Sequence, residues 1–67
     1  MLSDESRAVL EVIERALVSQ LADNDQAKCE LRAKYPDELD FVRGLTEGVE
    51  VTIGVMLGTI SRLLDRV

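Results

Sequence analysis

Between Phe41 and Leu63 the chain reads FVRGLTEGVEVTIGVMLGTISRL, which places apolar residues on two sides of a helix. The first apolar line steps by threes and fours through large residues: Val42, Leu45, Val49, Ile53, Met56, Ile60, Leu63 and Val67. The second line, the outer stripe, has the same spacing and smaller residues: Phe41, Gly44, Gly48, Val51, Val55 and Gly58. A helix that is apolar on both sides needs cover on both sides. The pattern therefore predicts more apolar surface than one neighbouring helix can bury.

A strand is the competing interpretation of the same region. Alternate residues from Val49 to Leu57 are apolar, and several are β-branched, which also fits a strand. In so short a chain, however, a single strand has nothing to pair with. The seven-residue spacing of Val49, Met56 and Leu63 also continues past the alternating stretch, which favours a helix.

The first half of the chain predicts one amphipathic helix. Ser3 or Asp4 is a suitable N-cap. The residues that follow form a single apolar stripe: Val9, Leu10, Ile13, Leu17 and Leu21. Gln20 and Asn24 then interrupt this stripe, so they either set the register of a bundle or mark a partly solvated or kinked stretch near residues 23–25.

Pro36 divides the chain into two helices. The residue before a proline is disfavoured in helical geometry, whereas proline itself suits the first helical position. We therefore predict an all-α fold in a single domain of residues 1–67, with helix 1 at about 4–34, a turn near 35 and helix 2 at about 36–66. A short connection joins antiparallel helices, which gives a two-helix hairpin.

The size of the chain favours self-association. A chain of 67 residues has a small core and is commonly stabilised by disulfides, metals or oligomerisation. Cys29 is the single cysteine and there is no histidine, which excludes an internal disulfide and a Cys/His zinc site. We therefore predict a homodimer in which two hairpins form a four-helix bundle.

The net charge of the chain restricts the classes of molecule that we expect it to bind. The net charge of −5 disfavours nucleic acids and anionic membranes, so we expect neither as a partner and expect another protein instead. No secretory signal or membrane-length apolar run is present, and a lone thiol suits a reducing compartment, so a cytoplasmic location is expected.

The residues offer no catalytic machinery. There is no histidine, phosphate-binding loop or nucleophile elbow, and residues 23–28 lack the glycine turn of a calcium loop. We therefore expect no enzymatic activity, no cofactor and no metal.

The expected function is that of a small dimeric protein-binding regulator or inhibitor that uses apolar surface on helix 2. The predicted interface is the outer stripe, where helix 2 meets a second helix, most simply its own symmetry mate. Tyr35 and Phe41 form a second candidate, a recognition tip. One alternative is a purely structural homo-oligomeric subunit. The other is an acidic module that binds a ligand or mimics nucleic acid. In size and shape alone, the chain resembles compact acidic proteins of mobile elements.

Overall fold

The computed structural model describes residues 2–65, which form two antiparallel α-helices joined by a short turn. Helix α1 spans Asp4–Lys34, a 3-10 turn spans Pro36–Glu38 and helix α2 spans Leu39–Leu63. The helices pack side by side into a rod with extents of 50 × 15 × 14 Å. No strand occurs among residues 2–65, so the helical interpretation of residues 49–57 is confirmed. The helical hairpin is the architecture that the sequence predicts.

The ends of α1 follow from local sequence. The Oγ of Ser3 accepts a hydrogen bond from the backbone N–H of Ser6 at 3.1 Å, which pairs one of the free amides of the first turn. At the other end, the N–H of Tyr35 donates to the carbonyl of Leu31 at 2.8 Å, and Pro36 follows. The helix is continuous through residues 23–25, so the polar stretch does not break it.

Helix α2 begins at Leu39, directly after the 3-10 turn, and ends at Leu63. Pro36 stands at the first position of the 3-10 turn, where its missing N–H leaves no unpaired donor. At the far end, the N–H of Leu64 donates to the carbonyl of Ile60 at 2.9 Å. Asp65 then takes the left-handed conformation, with φ 57°, that often ends a helix. The predicted end near residue 66 and the apolar Val67 lie outside the described residues.

The core between the helices is small and aliphatic. Among residues 2–65 the buried apolar side chains are Leu17, Val42, Ile53, Ile60 and Leu64. Partly buried side chains pack against this core at Leu2, Leu10, Leu21 and Leu57. A core of this size supplies little stability to a two-helix hairpin on its own.

Helix α1 covers only part of the first apolar line of α2. Val42, Ile53 and Ile60 are buried. The other described members of the line are exposed: Leu45, Val49, Met56 and Leu63. The reason is the rotation of α2 about its axis, which places Thr46, and not Leu45, against α1. Thr46 is 4% exposed, and its Oγ donates to the carbonyl of Val42 at 2.9 Å, so the hydroxyl is hydrogen-bonded where it is buried.

A polar contact between the helices fixes their register. The Nδ2 of Asn24 donates to the backbone carbonyl of Thr46 at 3.0 Å, so the interruption in the stripe of α1 is a cross-helix hydrogen bond. Because a carbonyl oxygen has two lone pairs, it can accept this bond beside its bond within the helix. Sliding one helix by a turn would break the contact.

We expect Asn24→Ala to lower the free energy of unfolding by about 1 kcal/mol, the net value of one such hydrogen bond. Asn24→Asp should destabilise the protein more, because a carboxylate keeps the shape of the amide but repels the Thr46 carbonyl. Urea unfolding followed by circular dichroism at a fixed protein concentration measures both. Gln26→Ala is the control, since its side chain contacts Glu30 on the exposed surface of the same helix. Equal effects at residues 24 and 26 would contradict the register role.

Candidate protein-interaction surface

The six residues of the outer stripe lie together on the solvent side of α2. Each of them is exposed. The exposed fractions of Phe41, Val51 and Val55 are 64%, 65% and 63%. Large aliphatic and aromatic side chains with such exposure, in one line along a helix, form an apolar surface that the hairpin leaves uncovered.

The glycines of α2 are not required by packing within the hairpin. A Cβ atom added at Gly44, Gly48 or Gly58 would meet no other heavy atom within 4 Å, apart from neighbouring helix backbone and adjacent residues. Glycine inside a helix costs about 1 kcal/mol relative to alanine. The hairpin alone would therefore be more stable with alanine at these positions. The glycines leave the α2 backbone open to a close approach from outside.

Two threonines of α2 add little polarity to this surface. The Oγ of Thr52 donates to the carbonyl of Gly48 at 2.8 Å, and the Oγ of Thr59 donates to the carbonyl of Val55 at 3.0 Å. Their hydroxyl groups are thus already hydrogen-bonded within the helix. The uncharged surface of α2 consequently continues from the outer stripe towards Val49 and Met56.

Tyr35 and Phe41, the predicted recognition tip, lie at the turn end of the hairpin and share one groove. Both are exposed. The other residues lining this groove are Leu31, Glu38, Val42 and Leu45. The structure therefore brings the two aromatic side chains together beside apolar neighbours from both helices.

Both helices contribute to a third apolar surface, which lies on one side of the hairpin. The spacing of apolar residues in the sequence did not predict it. One groove there is lined by both helices and includes two glycines of the outer stripe: Gln20, Asp23, Asn24, Ala27, Gly44, Leu45, Gly48, Val49, Thr52, Ile53 and Met56. A second groove, near the open end, includes Val9 of α1 and Leu63 of α2. Positions four and seven apart share a helix side, so Ile13 lies between these grooves on α1. We define the two-helix face by its exposed apolar residues: Val9, Ile13, Leu45, Val49, Met56 and Leu63.

The opposite side of the hairpin is charged. Its groove is lined by Lys28 of α1 with Glu47 and Glu50 of α2, together with Leu21, Val51 and Gly54. Val18, one turn before Leu21 on α1, is an exposed valine on this side. The two sides thus differ in chemistry, although the same two helices build both. Helical spacing alone showed the apolar lines of each helix, but not that their uncovered halves meet on one side.

The described residues hold no group that calls for a metal or a buried ligand. Residues 2–65 contain no cluster of His, Cys, Asp and Glu suited to a metal ion and no buried side-chain polar atom lacking a hydrogen bond. Cys29 is a free, exposed thiol. Neither helix of the described chain has the length and apolar character needed to cross a membrane. What distinguishes the surface is its exposed apolar area.

Comparison of the chain with known protein families, with curated proteins and with solved structures gives no match. Function is therefore inferred from the surfaces of the hairpin. These surfaces are the outer stripe, the tip and the two-helix face, and all three are apolar.

Proposed function

We propose that this chain is a non-enzymatic, homodimeric protein-binding module that regulates or inhibits another protein through the apolar surface of α2. The observation that carries the proposal is the exposure of the outer stripe, with Val51 and Val55 more than half exposed on a helix already packed on its other side. Contiguous apolar surface of this kind is typical of protein-interaction sites in soluble proteins.

The glycines support the proposal independently of exposure. Gly44, Gly48 and Gly58 oppose helix formation, and no contact within the hairpin requires them. A partner helix laid along the outer stripe would explain them, because small residues allow two helix backbones to approach closely. The mode of recognition is then that of a helix pair, in which spaced apolar side chains anchor the contact.

The net charge of the chain indicates the chemistry of the partner surface that it can bind. The net charge is −5, and the run between Glu50 and Arg62, which contains Val51, Val55 and Gly58 of the outer stripe, is uncharged. The chain therefore suits a partner with an apolar contact surface and a neutral or basic rim. Most of the binding energy is expected from the apolar contact. Binding should consequently depend weakly on salt, whereas mimicry of nucleic acid would depend on it strongly.

The test is quantitative affinity capture from cells of the source organism with three forms of the protein. The wild type and Val18→Glu should retain the same partner, and Val55→Glu should retain at least about tenfold less, because the new carboxylate is desolvated in the contact. Val18→Glu is the matched control, since Val18 is an exposed helical valine on the charged side.

Two outcomes would contradict the proposal. Retention of the same proteins in equal amounts by all three forms would show that the outer stripe does not bind them. If the wild type retains nothing above the Val55→Glu background and binds little of a dye that reports apolar surface, the chain is instead a sealed structural oligomer. Circular dichroism of each form checks that the helices are intact.

A further inference from the structure

The two-helix face is the part of the hairpin whose chemistry is closest to that of a core. Its six apolar residues come from both helices, and each is exposed: Val9, Ile13, Leu45, Val49, Met56 and Leu63. They continue the same apolar stripes whose other halves form the core between α1 and α2. In a four-helix bundle each helix packs on two neighbours, so half of each stripe faces the partner hairpin. Both stripes of this hairpin are divided in the same way: one half is buried between α1 and α2, and the other half is exposed.

The total exposed surface of the hairpin is large enough to include a contact with a second hairpin. A compact monomer of 7.4 kDa is expected to expose about 4,200 Å², whereas this chain exposes 5221 Å². The difference, about 1,000 Å², is close to the roughly 800 Å² that each partner buries in a standard protein interface. The radius of gyration, 15.2 Å, also exceeds the value of about 11 Å expected for a compact domain of this length.

We propose that a second copy of this chain packs on the two-helix face, with the tips of the two hairpins at opposite ends of a four-helix bundle. This inference rests on the homodimer of the proposed function and specifies that the two-helix face forms the dimer contact. It also moves the dimer contact away from the outer stripe, where the sequence pattern placed it. Phe41, Val51, Val55 and Gly58 of the outer stripe then remain on the outside of the bundle, available to a partner protein, whereas Gly44 and Gly48 border the dimer contact.

A second copy fits this face better than an unrelated protein for two reasons. The face extends along the rod from Val9 and Leu63 at the open end to Leu45 near the tip, and a copy offers a face of the same length and the same largely apolar character, with Glu5 and Asp23 as the acidic residues lining its grooves. Gln20 lies near the middle of α1 and lines this face. In the antiparallel arrangement the midpoints of the two hairpins coincide, so the Gln20 amide meets the same amide of the second copy. Each amide can both donate and accept, which satisfies a polar pair inside an apolar contact.

Sedimentation equilibrium on Val49→Glu, Val55→Glu and Val18→Glu tests the face. The wild type, Val55→Glu and Val18→Glu should be dimers, whereas Val49→Glu should dissociate about 100-fold or more readily, because two carboxylates would be buried without partners. The valine at 49 is 45% exposed and that at 18 is 53% exposed, so both substitutions are tolerated alike in the single hairpin.

Cysteine cross-linking tests the orientation and does not depend on Val49→Glu remaining folded. In a Cys29→Ser background, Gln20→Cys should form a disulfide-linked dimer on mild oxidation, and Val18→Cys should not. A dimer that survives Val49→Glu, or is lost in Val55→Glu alone, would overturn the inference and leave the homodimer standing. Preferential cross-linking at residue 18 would also overturn it. A wild type that stays monomeric at all concentrations would overturn this inference and the homodimer of the proposed function together.

Discussion

Replacing Gly44, Gly48 and Gly58 together by alanine is expected to stabilise the protein and to weaken its binding to a partner. Each alanine removes a penalty of about 1 kcal/mol in helix propensity, so the free energy of unfolding should rise by about 3 kcal/mol. For a chain of this length the midpoint of thermal unfolding should rise by roughly 12–24 °C. Since a Cβ at these positions meets nothing within 4 Å in the single hairpin, no packing loss within the hairpin opposes the gain.

The same substitution fills the outer stripe with methyl groups, so a partner helix can no longer approach as closely. Thermal unfolding followed by circular dichroism, at one protein concentration, measures the stability, and affinity capture measures the binding. Gly54→Ala is the matched control: its Cβ also meets nothing, but Gly54 lies on the charged side. It should stabilise by about 1 kcal/mol and leave binding unchanged. A triple variant that is more stable and binds as well as the wild type would contradict a role for the outer stripe in binding.

The hairpin could be predicted from the sequence because its signals are local. Ser3 caps α1 through a hydrogen bond to a backbone amide three residues away, and Pro36 acts on the residue beside it. Helical periodicity separated a helix from a strand in residues 49–57, because the seven-residue spacing extended beyond the ambiguous stretch. Each of these signals requires knowledge of a few neighbouring residues and nothing of the distant chain.

The rotation of α2 about its own axis could not be predicted in the same way. The apolar residues of α2 cover so wide an arc that several rotations would bury comparable surface. The choice is made by contacts with α1. Thr46 lies in the contact, where its carbonyl accepts from Asn24 and its buried hydroxyl is satisfied by the Val42 carbonyl. Leu45 is thereby left 55% exposed, although a hydropathy pattern ranks it above threonine as a core residue.

This rotation has a consequence for function. By turning Leu45 and Val49 out of the core between the helices, it adds them to Val9 and Ile13 of α1 and creates a surface shared by both helices. Neither helix alone predicts that surface, since it depends on which flank of α1 lies beside which flank of α2. The outer stripe, in contrast, belongs to one helix and is visible in the spacing of its residues.

Ile53→Ala is expected to have the largest destabilising effect of any single truncation in α2. Ile53 is 3% exposed and packs in the cluster that contains Leu17, Ile60 and Leu64. Removing a buried isoleucine side chain to alanine costs about 2–5 kcal/mol. A single small core rarely supplies more than about 3–5 kcal/mol in total, so much of the helical signal should be lost at room temperature in dilute solution.

Val51→Ala is the matched control for Ile53→Ala, because it truncates a β-branched residue two positions away that is 65% exposed. Its effect on the free energy of unfolding should stay within about 0.5 kcal/mol, and the better helix propensity of alanine offsets part of any loss. Circular dichroism at two protein concentrations completes the measurement. If association of two hairpins supplies part of the stability, raising the concentration should restore helicity to Ile53→Ala, since binding between folded copies favours the folded state by mass action. Equal losses in the two variants would mean that the contact line through Ile53 does not hold α1 and α2 together.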